Sequence, residues 1–472
     1  MSEQLRLDLE GTPQREQSGP IVVEFDEGTL VVEGLDEGAD GTEALTWDDR
    51  IDAYRAPAAV YRRLLGDLLK AGWAVTDRAR AYDEIDLEIR ERMDPYPHQK
   101  EGMEAWRGAE RRGTIVLPTG SGKTYLAQMA IESVGRSTLV CVPTIDLMNQ
   151  WSGVLEQAFH REVGLLGGGY HEVEALTVAT YDSAAMHMER IGDAFGMLVF
   201  DEVHHLPSDF YRQAAEFGLA PFRLGLTATP ERSDGREEDL SDLAGPIVYR
   251  QSIKDLSGDV LADYEIRTVE VGMTPEDKQR YDRARSFYRS FVNEQNIRMG
   301  ARNGWIRFLA ATNRSERGRR ALQAYQTQKR LALVNRAKME QLFDLLDRHR
   351  DEPLLIFTND NESVWSISER ALVPSITHQT KIRERREILE RFNEGEYGTI
   401  VTSKVLNEGV DVPRARVGIV LSGSGSVREH VQRLGRILRR WEGQRAILYE
   451  LVTDDTVEQH VSRRRREHDA YQ

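Results

Sequence analysis

The sequence predicts an α/β protein: two parallel-sheet lobes, a small N-terminal α+β module ahead of them and a helical insertion between them. Three observations predict it. The chain of 472 residues is too long for one hydrophobic core. Brief β-branched apolar runs, each closed by turn residues, recur in two blocks, which is the pattern of buried parallel strands. Between the blocks, from about Thr274 to Arg336, the chain is charged and helix-prone and has no strand runs.

Residues 1–19 are polar, have no apolar signal-peptide core and predict a disordered tail. Ile21-Val22-Val23-Glu24-Phe25 and Thr29-Leu30-Val31-Val32, on either side of Gly28, predict a hairpin. Val60, Leu64, Leu65, Leu68 and Leu69 have helical spacing, behind a Pro57 placed where a helix can start. Residues 20–91 thus form a module without a catalytic motif. Residues 92–252 are expected to form the first lobe, with apolar runs at 114–117, 138–142, 176–179 and 197–200 as its strands. The insertion is expected over 253–340. The second lobe follows over 341–472, with strands at 354–357, 399–401, 417–420 and 446–449. No internal repeat suggests a solenoid.

The first lobe opens on Pro118-Thr119-Gly120-Ser121-Gly122-Lys123-Thr124, between a predicted strand and a predicted helix. Gly120, Ser121 and Gly122 let backbone N–H groups wrap phosphate oxygens. Lys123 brings charge to the β- and γ-phosphates, and the Thr124 hydroxyl is a Mg2+ ligand. Leu117 stands where the general motif has its first glycine. Asp201-Glu202-Val203-His204 follows another strand, at the carboxyl end where α/β sites gather. Asp201 would hold Mg2+ through water, and Glu202 would deprotonate the attacking water. An acidic pair after a strand is ordinarily solvated loop; the phosphate loop gives this pair its meaning. His204 and His205 lack the cysteine or carboxylate spacing of a metal site. Thr227-Ala228-Thr229 ends a further strand, where small hydroxyl residues can bridge the acidic box to the second lobe.

In the second lobe, Gln432, Arg436 and Arg439 fall at i, i+4 and i+7, on one helix face. That is either an exposed basic helix or the arginine that stabilises charge developing on a γ-phosphate. Gly409 permits a tight loop in Asn407-Glu408-Gly409-Val410-Asp411. In the insertion, Arg280, Arg283, Arg285 and Arg289 interleave with Tyr281, Phe287 and Tyr288. This pattern fits a nucleic-acid grip by charge and stacking, and equally an amphipathic hairpin packed on its own lobe.

Apolar residues make up 40% of the chain, but no apolar run reaches about 18 residues, so no membrane span is expected. Cys141 is the single cysteine, which excludes an internal disulfide and any multi-cysteine metal site. A soluble cytoplasmic protein is expected. The net charge of −15 runs against phosphate contacts, yet a solvated acidic coat can coexist with local basic strips. Scarce lysine beside abundant Arg, Asp and Glu would suit a salt-rich, halophilic cytoplasm.

The ordered series of phosphate loop, DEVH box, TAT, Gly-Val-Asp loop and QRLGRILR resembles superfamily 2 helicases. Asp201 to Pro207, Gly225 to Pro230 and Ser422 to Ser426 are similar to archaeal XPB, the repair- and transcription-linked DNA translocase. The resemblance covers residues 20–460. It implies a damage-recognition-like N-terminal module, two RecA-like lobes and a helical thumb. ATP and Mg2+ are the implied cofactors, DNA the partner and a repair nuclease a further one. Carried over by position, Gln99 resembles the adenine-reading glutamine, and Gly409 and Asp411 the nucleotide-sensing loop. Arg436 and Arg439 resemble arginine fingers; Pro143, Thr144, Thr180 and Thr402 resemble nucleic-acid backbone contacts. Two departures stand out. The family's Arg-Glu-Asp strand-separation element is Arg232-Ser233-Asp234 here, which puts duplex unwinding in question. Pro97 and His98 stand in place of the aromatic or basic residues that usually flank the glutamine. An RNA helicase or a restriction-type translocase would use the same lobes, and a non-catalytic scaffold would keep DNA binding without turnover.

The acidic coat generates a first prediction. The thermal unfolding midpoint is expected to rise from low to molar salt, because screening relieves surface self-repulsion. A stability maximum at low salt, read by scanning calorimetry, would contradict it.

Overall fold

The computed structural model describes residues 20–35, 45–232, 234–256, 262–301, 303–403, 412, 414–422, 446–456 and 458–459. The chain divides into two compact units, Met1–Gln251 and Ser252–Gln472.

The first unit holds two sheets. In the smaller, β1 (Ile21–Asp26) and β2 (Thr29–Glu33) form the expected hairpin, turned by Glu27 and Gly28 at φ 46° and 78°. With β3 (Thr46–Asp48), β4 (Ala53–Pro57) and β5 (Val75–Asp77) the order is β3-β4-β2-β1-β5. Alternate residues Ile21, Val23, Leu30, Val32, Tyr54 and Ala56 share a core with Tyr61, Leu64 and Leu68 of helix α1 (Tyr61–Lys70). Residues 78–93 then form a strap. Its backbone exchanges hydrogen bonds with Gly135, Ser137, Ala158 and Asp193, at the amino-terminal edge of the larger sheet.

That larger sheet contains β6 (Arg112–Val116), β7 (Thr138–Val142), β8 (Gly164–Gly167), β9 (Tyr170–His171), β10 (Leu176–Thr180), β11 (Met197–Asp201), β12 (Phe222–Thr227) and β13 (Ile247–Arg250). Their order is β13-β6-β12-β11-β7-β10-β8-β9, parallel throughout except for the β8–β9 hairpin. β7, β10 and β11 are wholly buried, as continuous apolar runs covered on both faces must be. The connections are α2 (Pro97–Gly108), α3 (Lys123–Val134), α4 (Ile145–Phe159), α5 (Tyr181–Ile191) and the single turns α6 (Gln213–Glu216) and α7 (Leu240–Leu243).

One buried cation locks this lobe. Arg223 of β12 is fully buried and donates to the carbonyls of Ala215, Gly218, Ala220 and Leu243. Its own carbonyl accepts from Trp106 Nε1 at 2.8 Å. It thus holds α2, the α6 segment and α7 to one strand.

The second unit begins with α8 (Ile253–Leu256) and β14 (Tyr264–Val271), which pairs over its whole length with β19 (Ala446–Thr453). The sheet is parallel, in the order β14-β19-β18-β15-β17-β16, with β15 (Leu354–Phe357), β16 (Ser375–Ile376), β17 (Thr399–Thr402) and β18 (Val417–Val420). The span 253–340 therefore includes an edge strand of the second sheet. The helices α9 (Pro275–Glu294), α10 (Gly304–Thr312) and α11 (Glu316–Leu333) leave the sheet after it. α12 (Arg336–Arg348) returns to the core with Met339, Leu342 and Leu345; α13 (Asn361–Ala371) and α14 (Ile382–Glu394) follow. At the root of the helical excursion, buried Lys338 donates to Glu458 at 2.8 and 3.0 Å and to the carbonyls of Leu333 and Leu421.

The insertion's aromatics differ from a stacking surface. Tyr281 is 1% exposed, and Tyr288 packs edge-on against Phe308 in an internal core. Burial follows the helical stripe that faces α11, and Arg285 on that stripe donates to the Tyr281 hydroxyl at 2.6 Å. Trp305, on α10, is the exposed ring of this bundle among the described residues. No described helix is long and apolar enough to cross a membrane.

Replacing Arg223 with Met strips four carbonyls of their donor. At about 1–3 kcal/mol per stranded buried group, the loss should be at least roughly 3 kcal/mol. Urea unfolding followed by tryptophan fluorescence measures it; a change below about 1 kcal/mol would contradict the assignment.

Candidate active site

Three neighbouring strands end level. β6 pairs with β12 so that Val116 lies opposite Thr227, and β12 pairs with β11 so that Leu226 lies opposite Asp201. The loops that leave them emerge side by side at the carboxyl edge: the phosphate loop, Ala228-Thr229 and the acidic box. Parallel register alone brings together residues more than a hundred positions apart.

The phosphate loop is held from below by α2. Gly120 and Gly122 have φ of 86° and 82°, a conformation that favours glycine. A Cβ on Gly122 would lie 2.4 Å from Gln99 Nε2. That amide donates to the Gly122 carbonyl at 3.0 Å, while Gln99 Oε1 accepts from the Tyr96 backbone N–H at 2.9 Å. His98 Nε2 donates to the Ser121 carbonyl at 2.8 Å, so both residues carry the loop. Ser121 Oγ donates to the Pro118 carbonyl, and Lys123 Nζ donates to the carbonyls of Leu117 and Pro118 at 3.0 and 3.2 Å. Thr119 Oγ1 is buried without a hydrogen-bond partner among the described residues.

The acidic box is fixed just as closely. Asp201 Oδ2 accepts from Trp151 Nε1 at 2.9 Å and Oδ1 from the Glu202 N–H at 3.0 Å. The Tyr181 hydroxyl donates to the Asp201 carbonyl at 2.9 Å. Burial first, then Cys141, Asp201 and Glu202 nearby, push the Tyr181 phenol well above its ordinary pKa, so it remains a donor. Glu202 has φ 48°, the left-handed region, and is 9% exposed. Buried His204 sets Nδ1 3.0 Å from Thr227 Oγ1 and 3.5 Å from Glu202 Oε2. Thr227 Oγ1 in turn donates to the Thr229 carbonyl. Acidic box and TAT tripeptide are one hydrogen-bonded unit.

The other half of the edge belongs to β7, β10 and β8. Pro143 and Thr144 follow β7, and Thr144 Oγ1 caps α4 by accepting from the Leu147 N–H at 3.2 Å. Thr180 ends β10 and caps α5 through the Ser183 N–H at 3.3 Å. Gly167, Gly168 and Gly169, all at positive φ, turn between them; a Cβ on Gly167 would lie 2.9 Å from Thr180 Oγ1 and one on Gly168 3.2 Å from Ile145. Two helix N-termini and a glycine turn thus share one ridge. In the second unit Thr402 ends β17, fully buried, with its hydroxyl donating to the Ser403 carbonyl. Arg232 and Asp234 form a forked ion pair beside the acidic box. Ser233, Gly409, Asp411, Arg436 and Arg439 lie outside the described residues.

Several residues were not singled out from the sequence. Trp151 and Tyr181 reach the acidic box from separate helices, and no local spacing announces that. The run Gly167–Gly169 was a visible signal. Tyr96 is another: it is 46% exposed and stacks on His98, with centroids 5.7 Å apart and an interplanar angle of 14°. The glutamine does have an aromatic neighbour, one residue beyond Pro97 and His98.

A phosphate loop, an acidic box one strand away and a hydroxyl tripeptide between them define an α/β nucleoside-triphosphatase lobe of the helicase type. Residues 92–232 match the family described as type III restriction enzyme, res subunit. Residues 319–471 match the ERCC3/RAD25/XPB C-terminal helicase, and residues 23–79 the Xeroderma pigmentosum group B helicase damage recognition domain. The chain is 40% identical to the DNA 3'-5' translocase XPB2 of Sulfurisphaera tokodaii over 423 residues, covering 90% of this chain and 96% of that one. It is 31% identical to a putative DNA 3'-5' helicase Rad25 of Halobacterium salinarum, covering 94% and 69%. The fold is similar to the Pyrococcus furiosus Hef helicase domain, with a TM-score of 0.51 at 18% identity, covering 79% of this chain and 98% of that one. The chain belongs to the XPB family of superfamily 2 helicases, and its two sheet lobes are RecA-like.

Gly122→Ala tests the loop. The new Cβ meets Gln99 and the backbone leaves its favoured region, so nucleotide affinity should fall by about tenfold or more. Titration with a fluorescent ATP analogue measures it; unchanged affinity would contradict the geometry.

Proposed function

We propose that this chain is a DNA-dependent ATPase that moves along DNA and opens or remodels the duplex, in excision repair or transcription. The level ending of β6, β12 and β11 carries the reading, because it sets a phosphate cradle beside a buried carboxylate pair. The match of residues 23–79 to a damage recognition domain supports the repair setting. A repair nuclease is the partner that the family resemblance implies.

The residues present fit ATP and Mg2+. The buried Thr119 hydroxyl has no described partner, and Gly120 and Gly122 hold the left-handed backbone of a tight loop. The all-oxygen donor set of Thr124 and Asp201 suits Mg2+. ATP supplies the γ-phosphoryl group, and Mg2+ supplies charge that neutralises its oxygens. Lys123 moves its ammonium from the loop carbonyls to the phosphates. Thr124 and Asp201 would hold the metal, Asp201 kept in place by Trp151 and the Glu202 N–H. Glu202 orients the attacking water and takes its proton. Gln99 meets the edge of the base, and Tyr96 offers it a ring face. Arg436 and Arg439 stabilise charge developing on the γ-phosphoryl group.

For nucleic acid, the capped N-termini of α4 and α5 and the Gly167–Gly169 turn present backbone N–H groups and hydroxyls. That chemistry meets phosphates rather than base edges. Pro143, Thr144 and Thr180 are its proposed members, with Thr402 in the second lobe. Arg232 and Asp234 are the described part of the proposed strand-separation element.

Phosphate release is the test, with duplex DNA, single-stranded DNA and RNA compared at high salt. DNA should stimulate it most. Lys123→Ala should abolish it, and Arg436→Ala should lower kcat more than it changes nucleotide binding. Turnover that persists in Lys123→Ala, or stimulation by RNA alone, would overturn the reading.

A further inference from the structure

Of the element proposed for strand separation, Arg232 is fastened to the hydrolytic box and to Asp234. Arg232 is nearly buried, with its side chain 16% exposed. Its Nε and Nη2 reach the two carboxylate oxygens of Asp234 at 2.8 and 2.6 Å, and its Nη1 donates to the main-chain carbonyl of His204. Asp234 also accepts from the Arg236 backbone N–H. The fork holds the Asp234 carboxyl well below the usual carboxylate range, so it stays charged against the guanidinium.

The far end of this contact is Glu202. His204 lies in the short turn Val203–His205, directly after Glu202, whose left-handed backbone is costly for a side-chain-bearing residue. Such a conformation persists only where its surroundings fix it. The ring of His204 is hydrogen-bonded to Thr227 Oγ1, with the same Nδ1 3.5 Å from Glu202 Oε2. Its carbonyl is tied to Arg232. A continuous path therefore runs from exposed Asp234 through Arg232 and His204 to the carboxylate that would activate water.

We propose that Arg232, braced by Asp234, is a positioning residue for ATP hydrolysis: it anchors the His204 carbonyl and so holds the turn that aims Glu202. The proposal rests on the ATPase reading and adds a role distinct from separating strands. Hydrolysis and strand engagement then share one side chain. Whatever grips Arg232 or Asp234 would then pull on the acidic box.

Single-stranded DNA, which offers nothing to unwind, separates the two roles. ATP turnover on it is measured for Asp234→Asn, Arg232→Lys and Arg232→Gln, with thermal midpoints. Asp234 is 43% exposed at its side chain, so Asp234→Asn should fold normally. The expected result is a kcat lowered about threefold or more in Asp234→Asn and about tenfold or more in Arg232→Gln, with KM for ATP within about twofold. Arg232→Lys, which keeps a charged donor, should recover part of the loss. Wild-type kcat in Asp234→Asn and Arg232→Gln would overturn the proposal, as would a KM that rises as kcat falls. If no nucleic acid stimulates the wild type, the motor reading fails, and the basal kcat of the same variants still decides whether Arg232 positions the box.

Discussion

Register across β6, β12 and β11 is the constraint on which the rest depends. Side chains in a sheet have a period of two, so a slip of one residue would turn Asp201 away from the edge it now occupies. The apolar strands prevent such a slip because both faces are buried, and Arg223 pins β12 to the helices around it. The catalytic geometry is thus a consequence of packing chosen well below the site. The same edge, continued onto β7, β10 and β8, carries the capped helix ends proposed for the DNA backbone. On that proposal, nucleotide and strand would be served by one row of strand termini, and small shifts of that row would reach both.

Much of this was legible before folding because the signals are local. The phosphate loop combines a strand, glycines at obligatory positions and a helix start within a dozen residues. Asp201 and Glu202 follow a strand that is unmistakable in composition. The hidden parts depend on distance along the chain. Trp151 meets Asp201 across fifty residues, and nothing in either segment marks the pair. β14 escaped for another reason: Tyr264-Glu265-Ile266-Arg267 alternates polar and apolar residues, as an edge strand does, inside a span dominated by charged helices. In the insertion, Tyr281 faces inward and Arg285, one turn along the same face, donates to its hydroxyl, so that arginine serves the bundle itself.

Charge placement follows the same economy. The chain is acidic overall, yet its buried cations are the fixed points of each unit: Arg223 among carbonyls in the first, Lys338 against Glu458 in the second. A buried ion pair adds little net stability, but removing one partner is severe. Lys338 therefore specifies geometry more than it adds cohesion. It fixes where the helical excursion leaves the second sheet, through the carbonyls of Leu333 and Leu421. A surface free to carry excess acid and an interior that uses cations sparingly are compatible roles.

In the proposed motor, ATP hydrolysis drives movement along DNA. Displacement of a third strand from a short duplex measures this directly, since a translocating motor strips the third strand without separating the duplex beneath it. Displacement should depend on hydrolysable ATP and stop when a non-hydrolysable analogue replaces it. Displacement at the same rate with the analogue, or robust DNA-stimulated hydrolysis with no displacement, would contradict it.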